Sequence, residues 1–433
     1  MAINDHQRPN EILLDLFYPV PHPGSAMTEN PPSQPQTMDS PSRFKTLALC
    51  CSIHFLHDGF ANALYVLFPL MALDLHLSFT QVGFLKTAYS GMLSASQIPA
   101  SLMAERAGEA LILDGGTALL GLGFVAAAFV MTYPFLLALL AVSGGGSGVQ
   151  HPLASATVSR AYETTHRRTA LGTYNFSGDL GKVVIPVVTG LLAATFGWRW
   201  GLVGLGLLSL TAGGFLGLQP RMQLTPSGDE GTRPAAKLQP QGWGILDRRR
   251  FRRLLTIGMV DDSIRTSLLT FLPFLLVQKG MGPEKIGFVL ALLFAGGAAG
   301  KFLCGVLAER TGIVPMIFAT EGLTGLLILA VLPASSSAIY LLVPFLGLVL
   351  NGTSSVLYAT VAELVTPEGR SRGYALYYTA VLGTGALAPL FCGLLSDAAG
   401  LPSALTAIGA LAMAAALLSR FLDPRRGGNI GIT

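Results

Sequence analysis

His54, Asp58 and Asn62 recur at intervals of four in the run His54-Phe-Leu-His57-Asp58-Gly-Phe-Ala-Asn62. On a helix that interval puts the three on one face. A carboxylate among imidazoles is proton-handling chemistry, because an unperturbed imidazole titrates near pH ~6.5. Asp58 is the expected proton carrier, with His54 or His57 as relay. No Lys or Arg lies one turn from Asp58 on its own segment, so only His54, His57 or another helix can meet its charge. With His151 these groups also make a set of ordinary metal ligands. Proton exchange is the expectation drawn, and neither a metal nor a cofactor is expected.

Further ionisable residues lie in apolar surroundings. Asp261, Asp262 and Arg265 have the i+3 and i+4 spacing of internal pairs, and so do Asp179 and Lys182 at i, i+3. Lys86 and Lys301 read as lone cations, Lys301 as one that snorkels to an interface. A charge at mid-bilayer costs ~2.5–3.5 kcal/mol on insertion scales, so each marks a functional position. Asn62, Lys86, His151, Asp179, Lys182, Asp261, Asp262 and Arg265 are candidate substrate contacts. Tyr358 and Tyr377 join them as rings on which an aromatic ligand can stack. Glu321 has no assigned role. The sequence has no His-Glu-x-x-His, no nucleophile–base set and no phosphate-binding loop, so an ion-driven carrier is expected rather than an enzyme.

The elements that position these groups follow from composition. Apolar types make up 51% of 433 residues and charged types 12%, about half the charged share of a soluble domain. Runs such as Leu111–Met131 and Leu401–Leu418 carry at most one charge and approach the ~20 residues a helix needs to cross a bilayer. In lipid the backbone must satisfy its own hydrogen bonds, so the runs are expected to be helical. Twelve spans are predicted: 46–73, 80–103, 111–131, 135–157, 171–195, 201–218, 254–277, 286–307, 314–333, 339–361, 373–396 and 403–419. With both termini on one side, that side holds 21 of the 28 Lys and Arg, and the other holds Arg199, Lys279 and Lys285. This is a positive-inside pattern that places both termini in the cytoplasm, and it explains the net charge of +4 without nucleic acid.

The spans repeat. At an offset of 204, Asp58 meets Asp262, Pro69 meets Pro273, Gly83-Phe84 meets Gly287-Phe288, and Ala104-Glu105-Arg106 meets Ala308-Glu309-Arg310. At 203, Pro186 meets Pro389, Gly190-Leu191-Leu192 meets Gly393-Leu394-Leu395, and Gly197 meets Gly400. Six spans per copy is an even number, so the copies run parallel, related by an axis along the membrane normal. The predicted organisation is a disordered cytoplasmic tail (1–45), an N-terminal six-helix bundle (46–218), a cytoplasmic linker (219–253), a C-terminal six-helix bundle (254–420) and a cytoplasmic tail (421–433). The tail lacks the charged-then-apolar order of a signal peptide.

The repeat, together with Glu105-Arg106-x-Gly108 and Gly305-x-x-x-Glu309-Arg310-x-Gly312, resembles the major facilitator superfamily. Its signature after helices 2 and 8 is Gly-x-x-x-Asp-Arg/Lys-x-Gly-Arg-Arg. Here Ser101 replaces the Gly, Glu replaces Asp, and Glu109-Ala110 replaces the final basic pair. The resemblance implies that Glu105, Arg106, Glu309 and Arg310 latch the cytoplasmic face and that spans 1 and 7 line a central cavity. Gly148-Val149-Gln150-His151-Pro152 resembles the His-Pro segment of fosmidomycin-resistance-type exporters. Gly178-Asp179-Leu180-Gly181 with Pro186 resembles the antiporter motif of drug:proton exporters, with Lys182 where a small residue is usual and Ile185 where Gly is usual.

The reading reached is an all-α membrane protein with twelve transmembrane helices in two parallel six-helix repeats, a multi-pass monomer of the bacterial inner membrane. It is expected to be proton-coupled and to export a small amphipathic or anionic compound by alternating access. The alternatives are an uptake symporter of a small organic anion, with Lys86, Lys182 and Arg265 as anion contacts, and, less favoured, a metal-ion transporter. The expected partners are the substrate, protons and the lipid bilayer.

Overall fold

The computed structural model describes residues 40–162, 166–218, 244–366 and 370–422. The predicted tails and linker lie outside these residues at 1–39, 219–243 and 423–433. Every regular element among the described residues is helical. The helices are α1 (Ser40–Asp74), α2 (Phe79–Ala107), α3 (Glu109–Ala128), α4 (Tyr133–Ser147), α5 (Gln150–Ala161), α6 (Arg167–Phe196), α7 (Trp198–Leu218), α8 (Arg248–Gln278), α9 (Pro283–Thr311), α10 (Ile313–Val331), α11 (Ser336–Glu363), α12 (Arg370–Ala399) and α13 (Leu401–Ser419). Among the described residues eight helical segments are long and apolar enough to cross a membrane.

Span 4 departs from expectation. It is predicted continuous over 135–157, yet it divides into α4 and α5 around Gly148-Val149. Gly148 lies against α2, where a Cβ would stand 2.2 Å from the Leu93 carbonyl oxygen. His151 follows this lapse in the first turn of α5, while Gly148 and Val149 keep right-handed helical dihedrals. Elsewhere the helix ends follow local chemistry. Ser78 and Gln81 form a capping box at the start of α2. Gly108 and Gly312, a repeat pair, turn the chain at φ 92° and 90°, in a region that favours glycine. Asp247 caps α8, and the Arg250 and Arg249 amides hold its carboxyl below the usual carboxylate range.

α1 packs on α6, α3 on α7 and α2 on α4; α9 packs on α11, α8 on α12 and α10 on α13. The two groups meet along α2–α12 and α6–α9. A Cβ on Gly83 would stand 2.3 Å from the Pro389 carbonyl oxygen, and one on Gly287 would stand 2.4 Å from that of Pro186. These two contacts are images of each other under the repeat, as are Gly393 on Phe79 and Gly190 on Pro283. The same end carries a bond the repeat does not duplicate. The Asp397 carboxylate at the end of α12 accepts from the Phe79 and Thr80 amides at the start of α2 (2.9 and 2.8 Å), a favourable place for a negative charge.

Candidate functional site

The α1 face predicted from spacing meets α6 and α5. Asp58 Oδ2 lies 3.3 Å from His54 Nε2 and 3.0 Å from Lys182 Nζ, and Oδ1 lies 3.4 Å from His151 Nε2. Asn62 Nδ2 donates to the Asp58 carbonyl (2.7 Å). Close helix approach makes this possible: a Cβ on Gly181 would stand 2.0 Å from the Phe55 carbonyl oxygen, and one on Gly178 2.5 Å from His54 Nε2. Of the partners left open for the Asp58 charge, His54 and another helix both supply one. The ammonium of Lys182 reaches it from α6, which spacing along span 1 cannot reveal.

His54 is fixed by its surroundings. Its ring stacks on Tyr174 at 4.2 Å, and Nδ1 donates to the Tyr174 carbonyl at 2.8 Å. His57 turns the other way. Its Nε2 bonds Thr117 Oγ1 at 3.1 Å, and Thr117 itself donates to the Leu113 carbonyl. The His57 ring is thus held at α3, one residue from Asp58 in sequence and on a different face.

Lys182 also bonds Asp179 Oδ1 (3.1 Å), and Lys301 Nζ donates to both Asp179 oxygens (2.7 and 2.8 Å). Lys301 is therefore not a snorkelling cation. It comes from α9 and joins a relay Asp58–Lys182–Asp179–Lys301 across the two groups of helices.

In α8, Arg265 pairs with Asp262 and stands 3.8 Å from Asp261. Glu321, unassigned from sequence, is 1% exposed and lies beside the Asp261 carboxyl. Nothing along span 9 signals this, because its partners lie on α8 and α11. Lys86 is not free: it is buried with its ammonium 4.5 Å from the Tyr65 ring centre and 5.5 Å from that of Tyr89, a cation–π setting that offsets desolvation. Tyr377 is buried and packs edge-on to Tyr358 (5.6 Å), while Tyr358 stacks on Tyr378 (4.9 Å).

A cavity of about 150 Å³ lies where the groups of helices face each other. Its lining includes Asn62, Tyr65, Asp179, Lys182, Arg265, Thr266, Lys301 and Asn351. An apolar cavity of that volume accommodates a benzene-sized molecule. Of the candidate contacts, Lys86, His151, Asp261, Asp262, Tyr358 and Tyr377 stand outside this lining. Lys301 and Asn351 join it.

At the opposite end from the glycine contacts, Glu105, Arg106, Glu309 and Arg310 are exposed. The ionic contact formed there is another one. Glu109, a departure from the superfamily signature, pairs with Arg160 and accepts from Thr157 Oγ1 (2.9 Å).

Residues 50–282 and 254–431 match the profile of the Major Facilitator Superfamily. The chain is 26% identical over 406 residues to the probable sulfoacetate transporter SauU of Cupriavidus necator, covering 81% of this chain and 94% of that one. It is 27% identical over 362 residues to the 3-(3-hydroxy-phenyl)propionate transporter of Escherichia coli, covering 81% and 80%. Among solved structures, a bacterial homologue of the human lysosomal transporter Spinster, in an inward-facing and unoccupied conformation, superposes with a TM-score of 0.75. It covers 89% of this chain and 98% of that one at 17% identity. An all-helical chain with many membrane-length segments, an internal repeat and a match over nearly its whole length belongs to the Major Facilitator Superfamily.

Proposed function

We propose that this transporter carries a small organic anion, a carboxylate or sulfonate, together with a proton. Twelve spans in two six-helix bundles, with both termini in the cytoplasm of a bacterial cell, form the frame of this proposal. The observation that carries it is the cavity, where Lys182, Arg265 and Lys301 converge in a volume suited to a small molecule. Cations gathered inside a membrane protein mark an ion or substrate pathway. The sulfoacetate and hydroxyphenylpropionate transporters among the relatives carry substrates of this class by name.

Coupling follows from Lys182. While Asp58 is ionised, Lys182 divides its bonds between Asp58 and Asp179. A proton on Asp58, relayed by His54, removes one claim on the ammonium and turns Lys182 toward an incoming anion. Proton and anion then bind cooperatively, and each raises the affinity for the other by the same factor. Cooperative binding on one side of the membrane makes cotransport the natural mode. This favours the anion symporter over the exporter suggested by the resemblance of spans 4 and 5. Glu105, Arg106, Glu309 and Arg310 act on the balance between inward and outward states without touching substrate.

The test is proteoliposomes with a pH-sensitive dye inside and a panel of sulfonates and carboxylates outside. Symport predicts internal acidification that tracks uptake of the active compound. Alkalinisation on uptake would reverse the reading to exchange and export.

A further inference from the structure

His54 Nε2, the Asp58 carboxylate and His151 Nε2 converge as three candidate ligands of one centre. In tetrahedral zinc sites the metal lies ~2.0–2.2 Å from each nitrogen or oxygen, which puts neighbouring ligand atoms roughly 3.3–3.5 Å apart. His54 Nε2 lies 3.3 Å from Asp58 Oδ2 and His151 Nε2 lies 3.4 Å from Oδ1, so each imidazole has its own carboxylate oxygen at about that spacing, and with one ligand atom taken from each residue the three atoms lie within 4.8 Å of one another. The rings of His54 and His151 are crossed at 87°, so their nitrogens approach the carboxylate from different directions.

The tautomer of His54 supplies an independent argument. A carbonyl oxygen only accepts, so the 2.8 Å contact with Tyr174 puts the ring proton on Nδ1. With Nδ1 carrying that proton, Nε2 is the ring nitrogen left to face the Asp58 carboxylate. Two acceptors face to face are joined by a proton or by a cation, and a metal ion is a cation that both can ligate. Metal-binding histidines are commonly held in this way, by a backbone carbonyl on the other ring nitrogen. The stack on Tyr174 and the bond from Gln150 Nε2 to the Tyr174 hydroxyl (2.7 Å) fix the orientation further. Gly178 presents no Cβ beside His54 Nε2, where one would intrude to 2.5 Å.

We infer that His54, Asp58 and His151 form a binding site for a divalent transition-metal ion of the zinc class. Imidazole and carboxylate are suitable ligands for such ions. Lys182 competes for the same carboxylate, and its second bond to Asp179 gives it a place to withdraw when the metal arrives. Metal binding stands on the ligand geometry alone. Its consequence for transport, that the ion takes the place of the coupling proton and stalls the cycle, rests on the function proposed above.

The experiment uses the full chain, purified without a histidine tag and kept in detergent at neutral pH. Cobalt(II) is the probe, because a tetrahedral site gives it a visible ligand-field band. One ion per chain is expected, displaced by zinc. His151→Ala should weaken binding by at least ~10-fold, since even second-layer partners of ligands are worth 10–100-fold. Lys182→Gln should strengthen it. His76→Ala and His166→Ala, both at exposed positions, should leave the band intact. A band unchanged in His151→Ala, or lost in the surface variants, would overturn the site, as would the absence of cobalt binding to wild type. Equal monodispersity of the His151→Ala protein on size exclusion separates lost ligation from lost fold. Zinc should then inhibit wild-type transport in liposomes and lose that effect in His151→Ala. Binding without inhibition would leave the site standing and count against Asp58 as the coupling group.

Discussion

Gly83 lies so near Pro389 that a Cβ on the glycine would stand 2.3 Å from the proline carbonyl oxygen. With the Gly287–Pro186 contact, at 2.4 Å, it joins the two groups of helices at one end. Backbone atoms cannot yield as a side chain can. Overpacking a tight contact costs typically ~1–3 kcal/mol, about a 5- to 150-fold shift in a two-state balance. Gly83→Val should therefore favour the state in which this end is open. Spin labels at Ser78 and Ala398 should move apart, and turnover should fall about 10-fold or more. An unchanged label distance would show that this contact does not hold the end closed.

Asp58→Asn mimics the protonated carboxyl permanently. It should retain substrate binding and downhill exchange, with Lys182 free at every pH. Accumulation driven by a pH gradient should fall to a ratio of about 1, because a proton with no preference between states shifts nothing. Asp262→Asn should do less, since Arg265 already holds that carboxylate. Both variants belong in one liposome preparation. Wild-type accumulation by Asp58→Asn, with loss in Asp262→Asn, would place the coupling site in the other half.

The buried Glu321–Asp261 pair makes a stability prediction. Two carboxyl groups can share a hydrogen bond only through a proton, and an amide supplies its own N–H in that place. Glu321→Gln should therefore melt close to wild type in detergent. Glu321→Leu strands a buried partner and should cost ~1–3 kcal/mol. Identical melting of the two variants would mean that the pairing contributes nothing to the fold.

Orientation rests on charge. Residues 1–42, 219–253 and 421–433 should all face the cytoplasm, given 21 basic residues on that side against three. A cysteine introduced at position 230 should resist an impermeant thiol reagent in intact cells and react after permeabilisation. Labelling in intact cells would invert the topology.

What could be read in advance divides along a physical line. Helical periodicity, hydrophobic length and repeat offset are properties of the chain itself. They led to an all-helical membrane protein, to a shared face for His54, Asp58 and Asn62, and to the Arg265 pairs within α8. Contacts between helices are not encoded by spacing. Lys182 on Asp58, Lys301 on Asp179, and Glu321 on Asp261 each join residues more than 50 positions apart. A signal did exist for Lys182: it breaks the small-residue pattern of the motif it sits in, and that departure marks the position that bonds two carboxylates. The interruption of span 4 was harder to see, because Gly144-Gly145-Gly146 precede Gly148 and give no reason to prefer one glycine over another.

The repeat-related contacts have one more consequence. Gly83 touches Pro389 while the image of Gly83 touches the image of Pro389, and Gly393–Phe79 is matched in the same way by Gly190–Pro283. In an isologous dimer, residue i of one subunit meets residue j of the other and the reverse also holds. The interface within this single chain obeys that rule, as though two repeat units had been joined end to end and kept their symmetric contacts. A dimer gene changes both sides of such a contact with every mutation, whereas the fused chain can alter one copy and leave the other. Asp397, which clamps the start of α2 and has Ala194 at the corresponding position of the first half, is a place where that freedom has been used.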